Sequence, residues 1–268
     1  MKFSIFVLHA CLLCIPFLPV SIVNAGSETP EPLLEAGFDQ AIGAQLPLDI
    51  SLTDENGRRV QVGEYFNDRP VVLVFAYYNC PMLCSLVLAD LTRSLTSIEF
   101  IPGDEFEVIT VSIDPSDTFE LASVKKAALL SEYGRPGAEK GWHFLTGEQG
   151  SIDALTAAAG FRYFYDETQG EYAHPAGVVI LTPAGKISRY FFGLNYSPKD
   201  IRLGLVEASA NRIGSWIDQA YLLCYEYDPS TGTYGLLISR LLRLAGLATV
   251  AGLGGLVGIL VLKERSHG

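Results

Sequence analysis

Cys80 and Cys84 stand in the run Tyr77-Tyr78-Asn79-Cys80-Pro81-Met82-Leu83-Cys84, a C-x-x-x-C spacing. Four residues make about one helical turn, so two sulfurs so spaced at the start of a helix can point the same way. The partial positive charge of a helix N-terminus favours thiolate over thiol there. Thiolates are soft donors of the kind copper(I) selects. A third donor is available in Tyr172-Ala173-His174-Pro175, where Pro175 restrains the local backbone. Two sulfurs and one imidazole suit copper in both oxidation states, whereas structural zinc ordinarily takes a fourth protein ligand.

Other chemistries compete for the same residues. Outside the cytoplasm the two cysteines could form a purely structural disulfide. In a thiol-disulfide oxidoreductase, Cys80 would be the nucleophile and Cys84 the resolving thiol. Against this, thioredoxins use the tighter C-x-x-C, and a reductase does not require the histidine. A peroxiredoxin is a third reading. A histidine before a strand is also commonly a surface or hydrogen-bonding residue. His143, following Trp142, is expected to be structural, and Asp114 either closes a turn or tunes the thiols. Tyrosines 77, 78, 163, 165, 172, 221, 225, 227 and 234 read as packing or interface residues. Cys224 is an odd thiol whose options are pairing between chains, contact with a partner's metal, or burial.

The elements that must position these groups can be read from the pattern. Asp54-Glu55-Asn56-Gly57 lies between short apolar runs at 46–52 and 59–62 and signals a hairpin. The continuous apolar run 71–76 reads as a strand buried on both faces, followed by a helix from Cys84 to Thr96-Ser97 with Leu88, Leu91 and Leu95 on one side. The cysteines therefore sit on a strand-to-helix turn. A second central strand is expected over 106–113 and a helix over 118–133 with Asp117 as its N-cap. A short strand at 142–145, a helix at 151–159 stopped by Gly160, and strands at 177–181 and 187–192 joined by Pro183-Ala184-Gly185-Lys186 follow. A last helix is expected over 198–217. The order implies an α/β fold, a thioredoxin-like mixed sheet flanked by helices.

Both ends of the 268-residue chain have a different character. Met1-Lys2 precedes an apolar run ending in Val23-Asn24-Ala25, the pattern of a cleaved signal peptide. Leu244 to Leu262 carries no charge and has the length of a transmembrane helix, with Gly254 and Gly258 at G-x-x-x-G spacing. The expected organisation is signal peptide 1–25, linker 26–42, folded domain 43–217, juxtamembrane segment 218–239, transmembrane helix 240–262 and cytoplasmic tail 263–268. The folded domain would then lie on the periplasmic side of the inner (cytoplasmic) membrane, held by its C-terminal helix. A net charge of −11 without a basic stripe argues against nucleic-acid binding.

Cys80-Pro81-x-x-Cys84 after an apolar strand, Ser112-Ile113-Asp114-Pro115 with Asp117-Thr118, and His174 ahead of a strand together resemble the Sco/SenC family. The resemblance spans roughly residues 43–217. It implies a thioredoxin-like copper protein that helps assemble the copper A centre of cytochrome c oxidase, with Cys80, Cys84 and His174 as the copper ligands. The implied partner is the oxidase's copper A subunit, with other copper or thiol-redox proteins possible. If the chain is a reductase instead, Cys80 and Cys84 would reduce that subunit's cysteines. The C-terminal anchor departs from the N-terminal helix or lipid familiar in bacterial members, and the three-ligand motif leaves Cys224 unexplained.

Overall fold

The computed structural model describes residues 36–80, 83–210, 225–236 and 245–255, together with residues 217, 218, 222, 242 and 259. The expected signal peptide, Cys11, Cys14 and Cys224 lie outside the described residues.

In chain order the first elements are β1 (Gly37–Phe38), β2 (Ser51–Thr53), β3 (Arg59–Gln61), β4 (Val71–Ala76) and α1 (Leu83–Thr96). Next come β5 (Glu107–Ser112), α2 (Phe119–Tyr133), β6 (Trp142–Leu145), α3 (Gln149–Ala158) and β7 (Phe161–Arg162). The chain continues with β8 (Phe164–Asp166), β9 (Glu171–Ala173), β10 (Gly177–Leu181), β11 (Ile187–Phe192) and α4 (Pro198–Ala208). A final hairpin is formed by β12 (Tyr225–Asp228) and β13 (Thr233–Leu236).

Five strands form the central sheet in the order β11-β10-β4-β5-β6. β4, β5 and β6 are parallel, while β10 runs antiparallel to β4 and β11 antiparallel to β10. This is the mixed sheet expected from the pattern. Every residue of β4, β5 and β10 is buried, because apolar layers cover both faces. Alternation along β4 divides the core: Val72 and Val74 face α1, α2 and α4, and Val71, Leu73 and Phe75 face α3 and the β2–β3 hairpin. On α1, Val87, Leu91 and Leu95 are buried four residues apart, each contributing roughly 1.5–3 kcal/mol of hydrophobic stabilisation.

Two boundaries differ from expectation. Asp117 does not cap α2; Thr118 does, accepting from the Leu121 N–H at 3.4 Å, and Gly134 ends the helix with φ 69°. Helix α4 stops at Ala208, well short of 217, because Ala210 takes φ 54° and turns the chain out of the helix. The β12–β13 hairpin was not anticipated. It packs on β11 through Tyr227, which accepts from the Tyr190 N–H at 3.0 Å and lies 4.7 Å beneath the Arg189 guanidinium. Of the C-terminal apolar segment, residues 245–255 are helical, with Leu247, Val250 and Leu253 exposed. Among the described residues no helix is long and apolar enough to cross a membrane.

Candidate metal centre

The cysteine turn sits where β4 ends. Ala76 pairs with Ser112 in the parallel register of β4 and β5, and the Ile113 N–H donates to the Ala76 carbonyl at 2.9 Å. Tyr78 follows, its backbone N–H donating to Asp117 Oδ2 at 2.7 Å and its phenol to the carbonyls of Thr110 (3.1 Å) and Leu145 (2.8 Å). Ser112 Oγ donates to the same Asp117 oxygen at 2.6 Å. Asp117 therefore ties the cysteine turn to the turn after β5, a role its position before a helix disguised as capping. Asp114, by contrast, closes its own turn by accepting from Ser116 N and Oγ.

From that base the sulfurs are aimed inward. The Cys84 N–H donates to Cys80 Sγ at 3.2 Å, giving one of the free donors of the first helical turn a partner. The Tyr77 N–H donates to Cys84 Sγ at 3.4 Å. His174 arrives from the other side, at the exit of the β8–β9 hairpin and just before β10. Its Nδ1 lies 3.0 Å from the Pro175 carbonyl and its Nε2 2.9 Å from Cys84 Sγ. A carbonyl only accepts, so the proton belongs on Nδ1, and the Nε2 lone pair of the neutral ring faces the sulfur.

Cys80, Cys84 and His174 are 8%, 2% and 8% exposed, and their ligand atoms all lie within 4.8 Å of one another. The structure thus brings together the three residues singled out in the sequence, as a group able to hold a metal ion. Neither Cys80 nor Cys84 is joined in a disulfide. Burial pushes the Cys84 thiol far up, outweighing the backbone N–H donors that favour the thiolate. The expected stabilisation of thiolate by the helix start is therefore reversed at Cys84 in the metal-free protein, because desolvation is the larger effect. Burial also pushes His174 down, partly offset by its bond to Pro175, which keeps the imidazole neutral and its lone pair available at neutral pH.

Around the donors stands a wall of rings. Tyr77 meets His174 edge-on at 6.1 Å and Tyr172 at 5.5 Å, and Phe161 lies 6.1 Å from His174. Tyr77, Leu83, Tyr172, Asp166 and Glu171 line a cleft of about 280 Å³ that reaches Cys80 and His174. The sequence reads these tyrosines as packing or interface residues. The available signal was position, since Tyr77 and Tyr172 lie three and two residues before ligand candidates. His143 is elsewhere, near the start of β6, tilted against the Tyr65 ring at 4.1 Å and 3.2 Å from Glu107.

A family model described as SCO1/SenC matches residues 40–207. Among solved structures the chain is similar to a putative electron transfer protein from Aquifex aeolicus VF5, at 29% identity and TM-score 0.56, covering 64% of this chain and 96% of that one. It is also similar to a putative electron transport protein from the same organism, at 30% identity and TM-score 0.52, covering 63% and 98%. Arabidopsis thaliana ScoI with copper bound matches at 20% identity and TM-score 0.49, covering 63% and 98%. No curated protein matches the chain.

Proposed function

The chain belongs to the SCO1/SenC family, and from that premise we propose that it is a membrane-anchored, extracytoplasmic copper carrier for assembly of the copper A centre of cytochrome c oxidase. The observation that carries this reading is the convergence of Cys80, Cys84 and His174, buried and within 4.8 Å of one another, beside a cleft that Cys80 and His174 line. Copper is the cargo. Two soft sulfurs serve copper(I), and an imidazole with its Nε2 lone pair exposed to the sulfurs serves copper(II). Three protein donors leave a position for a partner's ligand to enter, whereas structural zinc sites are closed by four. Cys80, Cys84 and His174 would hold the ion, and Pro175, accepting from Nδ1, orients the ring.

The anchor in this reading is the uncharged stretch 244–262, with the folded domain on the periplasmic side after removal of residues 1–25. Tethering holds carrier and client subunit at one surface and raises their effective concentration without new contacts. A second reading is favoured by one observation: Cys80 and Cys84 are not joined in a disulfide and their sulfurs lie within 4.8 Å of each other, so the same pair can act as a thiol-disulfide reductase toward the client's cysteines.

The discriminating experiment titrates the reduced chain with copper(I) and copper(II) against competing chelators, beside its Cys84→Ser and His174→Ala variants. Tight binding near one copper per chain that depends on those residues supports the carrier. Weak binding together with rapid disulfide exchange makes the chain a reductase.

A further inference from the structure

We propose that the chain presents its metal-binding mouth away from the membrane, so that the partner which exchanges the cargo meets the end of the domain formed by the cysteine turn and the β8–β9 hairpin. That partner is an extramembrane protein domain whose acceptor sulfurs or imidazoles stand on the order of 20 Å or more above the lipid headgroups. This rests on the anchor at 244–262 proposed above.

Helix α1 measures the domain. It leaves the cysteine turn at Leu83 and runs 14 residues to Thr96, about 21 Å, so the residues from Ser97 to Phe100 mark the end opposite the mouth. The later chain is fastened at that end. Arg202 of α4 lies 4.4 Å over the Phe100 ring and 3.4 Å from Glu99, and it grips Asp218 through both carboxylate oxygens at 2.7 and 2.9 Å. Lys199, also on α4, places its ammonium 4.0 Å over the ring of Tyr225, the first residue of β12. From there the β12–β13 hairpin climbs along β11 towards the mouth: Tyr227 meets Tyr190, and Gly232 in the turn lies against Phe192, which pairs with Gly177 at the His174 end of β10. Tyr225 pairs with Leu236, so the returning strand delivers the chain to the far end again.

Residues 237–243 separate Leu236 from the uncharged stretch, and a segment of that length spans about 25 Å at most when fully extended. To lay the mouth on lipid, it would have to double back along the full length of α1, using nearly all of its reach. Charge opposes the same arrangement. Among the described residues, the charged side chains lining the cleft are Asp166 and Glu171, with Glu167 exposed between them in the chain. The far end balances Lys199 against Glu99, and Arg240 and Arg243 adjoin the uncharged stretch. Anionic headgroups repel the carboxylates of the mouth and attract the two arginines. Reach and charge both turn the mouth outward.

The test reconstitutes the full chain in vesicles of phosphatidylethanolamine and phosphatidylglycerol that carry a spin-labelled headgroup lipid, a quencher of short range. A fluorophore is attached at Glu167→Cys, beside the mouth, or at Glu99→Cys, at the far end, each in a background of Cys80→Ser, Cys84→Ser and Cys224→Ser. Both positions are exposed, and both changes remove one negative charge. Quenching at position 99 should exceed that at position 167 several-fold. Equal quenching, or more at position 167, in chains that float with the vesicles overturns the proposal. The unsubstituted chain, loaded with copper(I), gives a second measure. A water-soluble chelator should strip outward-facing chains in vesicles as fast as chains in detergent, and the same chelating group carried on a lipid headgroup should strip them several-fold more slowly. Equal rates for the two chelators overturn the proposal without any substitution. A chain that fails to float removes the anchor and the orientation with it, while copper binding in solution still decides the carrier reading.

Discussion

At the scale of single residues, the centre is governed by where protons sit. His174 keeps its proton on Nδ1 because Pro175 offers only a carbonyl, and burial keeps the ring neutral. Replacing it by alanine should weaken copper(II) binding roughly tenfold or more beyond any loss for copper(I), since the imidazole is the harder donor of the set; chelator competition in each oxidation state measures this, and equal losses would contradict the assignment. Asp117 gives a pH signature. Burial pushes its carboxyl up, against the pull of Ser112 and Tyr78. A group raised in the folded state contributes stability below its unfolded value, and that contribution is lost as pH rises through the folded value. Asp117→Asn removes this loss, so urea midpoints should show the variant faring better relative to wild type at about pH 7 than at about pH 4. Asp117→Ala strands the Tyr78 N–H and should cost about 1–3 kcal/mol.

At the scale of elements, one tie between the opening hairpin and the body is an ion pair. Glu55, in the β2–β3 turn, accepts from Lys126 of α2 at 2.5 Å and from the Phe144 N–H of β6 at 3.1 Å. Both side chains are largely buried, so Lys126→Met leaves a carboxylate uncompensated and should cost about 3–5 kcal/mol, most of it recovered in the Glu55→Gln/Lys126→Met double variant; denaturant unfolding decides. Strands 71–76, 177–181 and 187–192 are legible because β-branched or aromatic apolar runs bounded by turn residues have few alternatives. The β8–β9 and β12–β13 hairpins are not. Their strands are short and tyrosine-rich, and what stabilises the second, Tyr227 against Tyr190 and Arg189, is contact with residues distant in sequence.

At the scale of the whole molecule, the proposed cargo and the proposed anchor each predict a measurable trace. An ion held only by the folded state stabilises it by mass action, about 2.7 kcal/mol at a free concentration of 100 times the dissociation constant; the melting midpoint of the reduced chain should rise with copper and not in Cys84→Ser. Deleting residues 240–268 should move the protein from the membrane pellet to the soluble fraction of a cell lysate while leaving copper binding in place. Retention in the pellet would show that another segment holds it.

What the sequence determined by itself is the local grammar: a buried strand, a C-x-x-x-C turn opening a helix, a histidine before a later strand, and the family pattern these make. Such features depend on neighbours a few residues apart, and periodicity and turn chemistry encode them directly. The tertiary structure alone decided that Cys84 Sγ and His174 Nε2 stand 2.9 Å apart, that burial overrides the helix start at the Cys84 thiol, and that Asp117 braces the turn and the Tyr77 N–H reaches Cys84 Sγ. Each of these is set by desolvation or by contact across strands and turns that only folding brings together.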